Sequence, residues 1–191
     1  MAHMSRELEA MLGSGSPVLQ PDGFRPSYGD LLRIYQTYTG DQDLREGGLY
    51  RNECAVRMSL ALSLCGFSFQ SFRRQSRVVA GGRSGLPLAH VYGAKELADH
   101  LRIVWGRPEM FDGGGRSAAT EATSSLEGRQ GVIYFNDCFT RSDGTKGDHI
   151  DLWTGAKYYN QVLGIGAGVE DLSSRRSLFR KADKIWFWQL A

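Results

Sequence analysis

The segment from Asn52 to Cys65, which contains Cys54-Ala55-Val56-Arg57-Met58-Ser59-Leu60-Ala61-Leu62-Ser63-Leu64, constrains the fold more than any other part of the chain. Its side chains are apolar on nearly every helical face, and Gly66 stops it. A helix apolar all round belongs in the centre of a domain, because any exposed face would leave hydrocarbon in water. At 191 residues, against a prior of about 150 per domain, the chain is long enough to enclose such a helix in a single core. The expected domain spans residues 24–191, behind an N-terminal arm at 1–23. Met1-Ala2-His3-Met4 reads as a tag scar at the start of that arm, and residues 13–27 are small, polar and punctuated by Pro17, Pro21 and Pro26.

Around the central helix the periodicity changes along the chain. Ser27 can cap a helix whose Leu31, Leu32, Ile34, Tyr35 and Tyr38 form one apolar face, with Gly40 as a stop. Ala94 to Val104 reads as a second amphipathic helix, with Ala94, Leu97, Ala98, Leu101 and Val104 inward and His100 on the solvated flank. Residues 112–130, with Gly113-Gly114-Gly115 and little apolar content, read as a mobile loop. After that the period becomes two. Val132–Phe135, His149–Trp153 and Ile185–Trp188 are strand candidates, and Asp143-Gly144 marks a turn. Helices early and strands late imply an α+β domain with helices packed on an antiparallel sheet.

Composition narrows the function. Lys plus Arg number 23 and Asp plus Glu 21, a formal charge of +2, which supplies no field for coating nucleic acid or an anionic membrane surface. No apolar run is long enough for a membrane span, and no cationic segment followed by an apolar stretch marks a signal peptide. Three Cys is an odd number, so at least one thiol lies outside any intramolecular disulfide.

Cys54 is the strongest chemical signal. With Asn52 as N-cap it falls in the first turn of the central helix, where unpaired amides and the positive end of the helix dipole favour a thiolate. A small buried core thiol is the competing reading. Cys65 lies eleven residues on, about 16 Å along the axis at 1.5 Å per residue, so the two cannot bridge within one helix. A thiolate enzyme needs a His to carry protons. His3 belongs to the scar, His100 is expected in solvent, and His90 sits in an apolar context that suits a structural imidazole. His149 opens the strand Gly147-Asp148-His149-Ile150-Asp151-Leu152-Trp153, whose alternation puts His149, Asp151 and Trp153 on one face and Ile150 and Leu152 in the core. Arg57, on a mostly apolar helix, needs a buried partner. Gly164–Val169 lacks the last glycine of a dinucleotide fingerprint, and Phe139 stands where an EF-hand loop ahead of Asp143-Gly144 needs its first acidic ligand. The scattered Cys and His have no zinc spacing; neither metal nor other cofactor is expected.

Asn52-Glu53-Cys54-Ala55-Val56-Arg57-Met58-Ser59-Leu60-Ala61-Leu62, then Gly131-Val132-Ile133-Tyr134-Phe135, Asp137-Cys138-Phe139-Thr140 and Gly147 to Trp153, resemble in order and spacing the type VI secretion amidase effector 4 family. The resemblance covers roughly residues 24–165. It implies a papain-like, NlpC/P60-type fold with the nucleophile-bearing central helix packed on an antiparallel β-sheet. It also implies an antibacterial cysteine amidase that hydrolyses the γ-D-glutamyl to meso-diaminopimelate bond of peptidoglycan stem peptides. By position Cys54 is the nucleophile and His149 the general base and acid. The family's third member is usually an Asp eleven residues after the His, a position held here by Asn160. Asn can still fix the tautomer of an imidazole. Asp151 is the alternative, although a residue two along the same strand lies beside the His rather than beyond it.

The implied partners are peptidoglycan stem peptides, the type VI secretion machinery and a cognate immunity protein blocking the cleft, with no nucleic acid and no membrane insertion. The implied route is synthesis in the cytoplasm without a signal peptide and action in the periplasm of target bacteria after secretion. Arg73, Arg74 and Arg77, and Arg175, Arg176, Arg180 and Lys181, form local basic clusters that are either solvated faces or aids in holding an anionic muropeptide or acidic inhibitor. Cys65 and Cys138 are candidates for pairing after export. The competing functions are a non-catalytic cell-wall-binding or interaction module of the same fold and a cytosolic cysteine peptidase.

Overall fold

The computed structural model describes residues 20–21, 23–38, 54–73, 78–79, 90–158 and 177–191. They fall into two compact units, Met1–Trp105 and Gly106–Ala191.

The first unit is built round the apolar helix. Helix α1 (Tyr28–Tyr38) begins as its sequence predicts: the Ser27 hydroxyl accepts the Asp30 amide at 3.1 Å and donates to the Asp30 carboxylate at 2.7 Å. Tyr28, Leu31, Ile34 and Tyr35 form its buried face. Helix α2 (Cys54–Leu64) is buried at every residue from Cys54 to Ser63, and α1, strand β2 (His90–Val91) and helix α3 (Ala94–Val104) all pack against it. Asn52 and Gly40, expected as cap and stop, lie outside the described residues. The strands β1 (Val78–Val79) and β2 (His90–Val91) form a small antiparallel pair. Ser59, polar yet fully buried on α2, has a definite job there. Its hydroxyl accepts the Val91 amide at 2.8 Å and lies 3.1 Å from the Val56 carbonyl, which ties α2 to β2 without an unsatisfied group.

Helix α3 (Ala94–Val104) has the bounds that its periodicity predicts. His100, however, is not solvated. It is buried against Phe72 (centroids 4.8 Å apart), Phe67 and Phe69 (each 5.9 Å), because the segment after α2 covers the flank that helical spacing alone leaves open. Order in this unit also begins before Ser27. The Gln20 amide donates to the Gly66 carbonyl, and the Trp105 indole donates to the Phe24 carbonyl at 2.8 Å.

The second unit is a four-stranded antiparallel sheet in the order β3-β6-β4-β5, with β3 Glu109–Asp112, β4 Gly131–Thr140, β5 Lys146–Trp153 and β6 Lys184–Gln189. All three strand candidates of the sequence are present. The stretch 112–130 is not a loop: after β3 it forms helix α4 (Arg116–Leu126). Its apolar content is low but correctly spaced, since Ala119, Ala122 and Leu126 make a narrow buried stripe. The Thr120 and Thr123 hydroxyls donate to the carbonyls four residues back, so the polar residues satisfy the helix rather than break it. A single turn, α5 (Leu178–Lys181), precedes β6.

The register sets His149 opposite Phe135 and Asp151 opposite Ile133, and on the other side of β4 it sets Ile185 and Phe187 opposite the same two residues. That face carries the core of the unit. Ile133, Phe135, Trp153, Ile185 and Phe187 pack with Ala119, Ala122 and Leu126 of α4 and with Leu178 and Phe179 of α5. Alternation along β5 therefore holds, but Ile150 and Leu152 do not mark the only buried face; both faces of β5 from His149 to Trp153 are covered.

Gly131 is where the sheet leaves no room for a side chain. A Cβ there would lie 2.1 Å from the carbonyl oxygen and 2.9 Å from the carbonyl carbon of Trp188, both backbone atoms of the paired strand. Gly131→Ala is expected to destabilise the protein by about 1–3 kcal/mol, read as a lowered midpoint in urea with an unchanged slope. An unchanged midpoint would show that β4 and β6 can separate freely at that end.

Candidate active site

Cys54 is the first residue of α2 and is 7% exposed. Its place follows from the sequence: the apolar run that buries α2 begins at Cys54, so burial of the helix carries the thiol inside with it. The start of a helix carries the positive end of its dipole. It is therefore suited to bind negative charge on sulfur or on an oxygen beside it.

His149 lies on β5 and is 7% exposed. Its Nε2 is 3.1 Å from Oδ2 of Asp151, and the other oxygen, Oδ1, accepts the Leu152 amide at 2.8 Å. Asp151 is fully buried with both oxygens engaged, so its carboxylate is held rigidly. The pair forms because residues two apart on a strand share a face and because the carboxylate leans back along the strand onto the imidazole edge. A carboxylate cannot donate, so Nε2 carries the proton and Nδ1 is the basic nitrogen of the neutral ring. The ring plane is set by aromatic packing as well. Phe135 stacks on it at 6.4 Å and 28°, and Tyr158 meets it edge-on at 6.3 Å. Tyr158 is itself bridged to Trp153 and packed on Phe135 and Phe179.

The structure thus brings His149 and Asp151 together. Cys54 belongs to the first unit and the His149–Asp151 pair to the second. Asn160 lies outside the described residues, as do Arg74, Arg77, Arg175, Arg176 and the Gly164–Val169 segment. His90 is buried, as its apolar context suggests, and Arg57 is buried in α2. Among the described residues no group of three His, Cys, Asp or Glu is placed to hold a metal ion. No described helix is long and apolar enough to cross a membrane.

The three cysteines are reduced thiols. Burial, with Asp30 adding to it, pushes the Cys65 thiol up to about 12. Cys65 is therefore a neutral thiol at physiological pH, a poor nucleophile. A raised value also has a sign for stability. Below the ordinary thiol value near 9 the group is protonated in both states; from there to about 12 only the unfolded chain ionises, so stability falls as pH rises across that window. Cys65→Ala is expected to flatten that alkaline decline, measured as urea unfolding from pH 8 to 11. An identical decline in the variant would contradict the assignment.

The family model for the type VI secretion system (T6SS) amidase effector protein 4, Tae4, matches residues 50–188, a span containing Cys54, His149 and Asp151. The chain belongs to the Tae4 family. Its structure is similar to that of Tae4 from Salmonella typhimurium, solved in complex with the immunity protein Tai4 from Enterobacter cloacae. The TM-score is 0.59 at 20% identity, over 87% of this chain and all of that one. Tae4 from Enterobacter cloacae is similar too, with a TM-score of 0.57 at 18% identity over 88% of this chain and 98% of that one. No curated protein matches. The fold is accordingly the α+β, papain-like NlpC/P60 type that the Cys54 and His149 segments imply.

Two features of the His149 environment escape sequence reading. The aromatic frame of Phe135 and Tyr158 depends on strand register and on a return of the chain after Trp153. The second is an irregularity in β4 beside His149, which the turn-forming pair Asn136-Asp137 in mid-strand could have signalled.

Proposed function

We propose that this Tae4-family protein is an antibacterial cysteine amidase that hydrolyses the γ-D-glutamyl to meso-diaminopimelate bond of peptidoglycan stem peptides. The observation that carries the reading is the buried His149–Asp151 hydrogen bond, in a chain whose family is one of amidase effectors and whose Cys54 heads a buried helix.

In this mechanism His149 Nδ1 takes the Cys54 proton, and the thiolate attacks the amide carbonyl carbon. The negative charge moves to the carbonyl oxygen, where first-turn amides of α2 stabilise it. As the oxyanion collapses the C–N bond breaks, and imidazolium gives its proton to the departing diaminopimelate amine. The γ-glutamyl group remains on sulfur as a thioester. His149 then deprotonates a water that attacks the thioester, and the Cys54 thiolate leaves. Asp151 accepts from Nε2 throughout, holding the tautomer and stabilising the imidazolium. Asn160, at the family's usual third position, is the alternative for that role.

The substrate sets the place of action. Stem peptides lie in the periplasm, so the effector acts in target cells after secretion, and a producing cell needs an immunity protein that blocks access to Cys54. Directed to the periplasm of a susceptible bacterium, the protein is expected to lyse cells, with rescue by the cognate immunity protein. Toxicity confined to expression in the cytoplasm would overturn the wall as its target.

A further inference from the structure

The pairing of β4 with β5 is interrupted immediately beside His149. Phe135 pairs with His149, yet the next pair is Phe139 with Gly147. Three residues of β4, Asn136, Asp137 and Cys138, therefore face a single residue of β5, Asp148. Such a bulge bends its strand and re-aims neighbouring side chains, and bulges gather beside active sites.

This bulge is strained and pinned. Asp137 has φ +52°, the one non-glycine residue among those described in the left-handed region, which Asp tolerates better than most residues but does not prefer. A strained conformation persists only where its surroundings over-determine it. Here a single atom does most of this. Oδ1 of Asp148 accepts both the Asp137 amide at 2.9 Å and the Asn136 side-chain amide at 3.1 Å. The Cys138 thiol lies 3.6 Å from the Gly147 carbonyl, and the Asp183 amide donates to the Asn136 carbonyl at 2.9 Å. The Phe139 ring fills the space over Gly147, where a Cβ would come within 2.3 Å of it.

We infer that Asp148 is a positioning residue for the reaction: by clamping the β4 bulge it fixes the backbone from which His149 projects. The inference rests on the reading of His149 as the base. Strand alternation turns the Asp148 side chain to the face opposite His149, so its influence reaches the imidazole through the main chain. The clamp also explains a carbonyl-type oxygen at this position: one oxygen must accept two donors at once, which a carboxylate or an amide carbonyl oxygen, with its two lone pairs, can do.

The test compares wild type with Asp148→Ala, Asp148→Asn and His149→Ala, using purified muropeptides for kinetics and 15N-labelled His for the ring resonances. Asp148→Ala is expected to shift the His149 ring nitrogens and to lower kcat roughly 10- to 100-fold with little change in KM, as misplacement of a proton carrier by a fraction of an ångström would do. Asp148→Asn keeps the double acceptor and is expected to recover most of kcat and the wild-type ring resonances. Unchanged ring resonances and kcat in a folded Asp148→Ala protein would overturn the proposal, and so would an Asp148→Asn protein as impaired as Asp148→Ala. If Asp148→Ala does not fold, Asn136→Ala removes one of the two donors and is expected to shift the same resonances and lower kcat in the same sense; no change in either would overturn it. An active His149→Ala protein would instead sink the reading of His149 as the base, so the two failures are distinguishable.

Discussion

Cys54→Ala is expected to lower kcat/KM on muropeptides by at least about 10³-fold while the protein stays folded, because the variant loses the atom that bonds to the substrate carbonyl. No other thiol can take its place. Cys65 is held neutral to about 12, and Cys138 is fully buried in the pinned bulge of β4. The cost in stability is about 1 kcal/mol, because only one small buried group is removed from the start of α2. Thermal unfolding separates the two effects: a near-normal melting temperature with no turnover supports a nucleophile, whereas substantial residual turnover would return Cys54 to the core.

The second large effect is expected at Asp151. Asp151→Asn keeps the shape, but both oxygens of Asp151 accept, one from Nε2 and one from the Leu152 amide. The amide that replaces them must turn its NH2 group towards one of these donors, so the imidazole can adopt the wrong tautomer. The template of the Ser-His-Asp proteases puts such a loss on the order of 10⁴-fold in kcat. Asp151→Ala removes the acceptor for both His149 and the Leu152 amide, and each buried donor left unsatisfied costs about 1–3 kcal/mol. It is therefore expected to lose stability as well as activity, whereas Asp151→Asn loses mainly activity. Asn160→Ala is the control. If Asn160→Ala carries the larger loss in kcat and Asp151→Asn is near wild type, the orienting role belongs to Asn160.

Much of the fold could be read from the chain where one physical signal dominated. The all-round apolar pattern from Cys54 to Leu64 predicted a buried central helix, and Ser27 and the 3.6-residue period predicted α1 and α3. The strands at Val132–Phe135, His149–Trp153 and Ile185–Trp188 showed the same directness. The failures have specific causes. Helix α4 was hidden because alanines bury little hydrocarbon each, so a stripe of Ala119, Ala122 and Leu126 looks polar in composition although it is apolar in space. His100 was misplaced because burial of a helix flank depends on Phe67, Phe69 and Phe72, which lie some thirty residues earlier in the chain.

The candidate site divided along the same line. Cys54 and His149 stood out because their local contexts, a helix start and a strand start bracketed by carboxylates, are written in neighbouring residues. The contact of Asp151 with Nε2 did not, since alternation predicts only a shared face, and whether the carboxylate reaches the ring is a matter of side-chain rotation. The clamp at Asp148 is less visible still, because it depends on a register shift between two strands.

Mass spectrometry of purified muropeptides, before and after incubation with the wild-type protein and with Cys54→Ala, tests the central claim most directly. Cleavage at the γ-D-glutamyl to meso-diaminopimelate bond predicts a muropeptide ending at D-glutamate and a released peptide beginning with diaminopimelate, each appearing only with the wild-type protein. Intact muropeptides after incubation with folded wild-type protein, or the same fragments from Cys54→Ala, would contradict it.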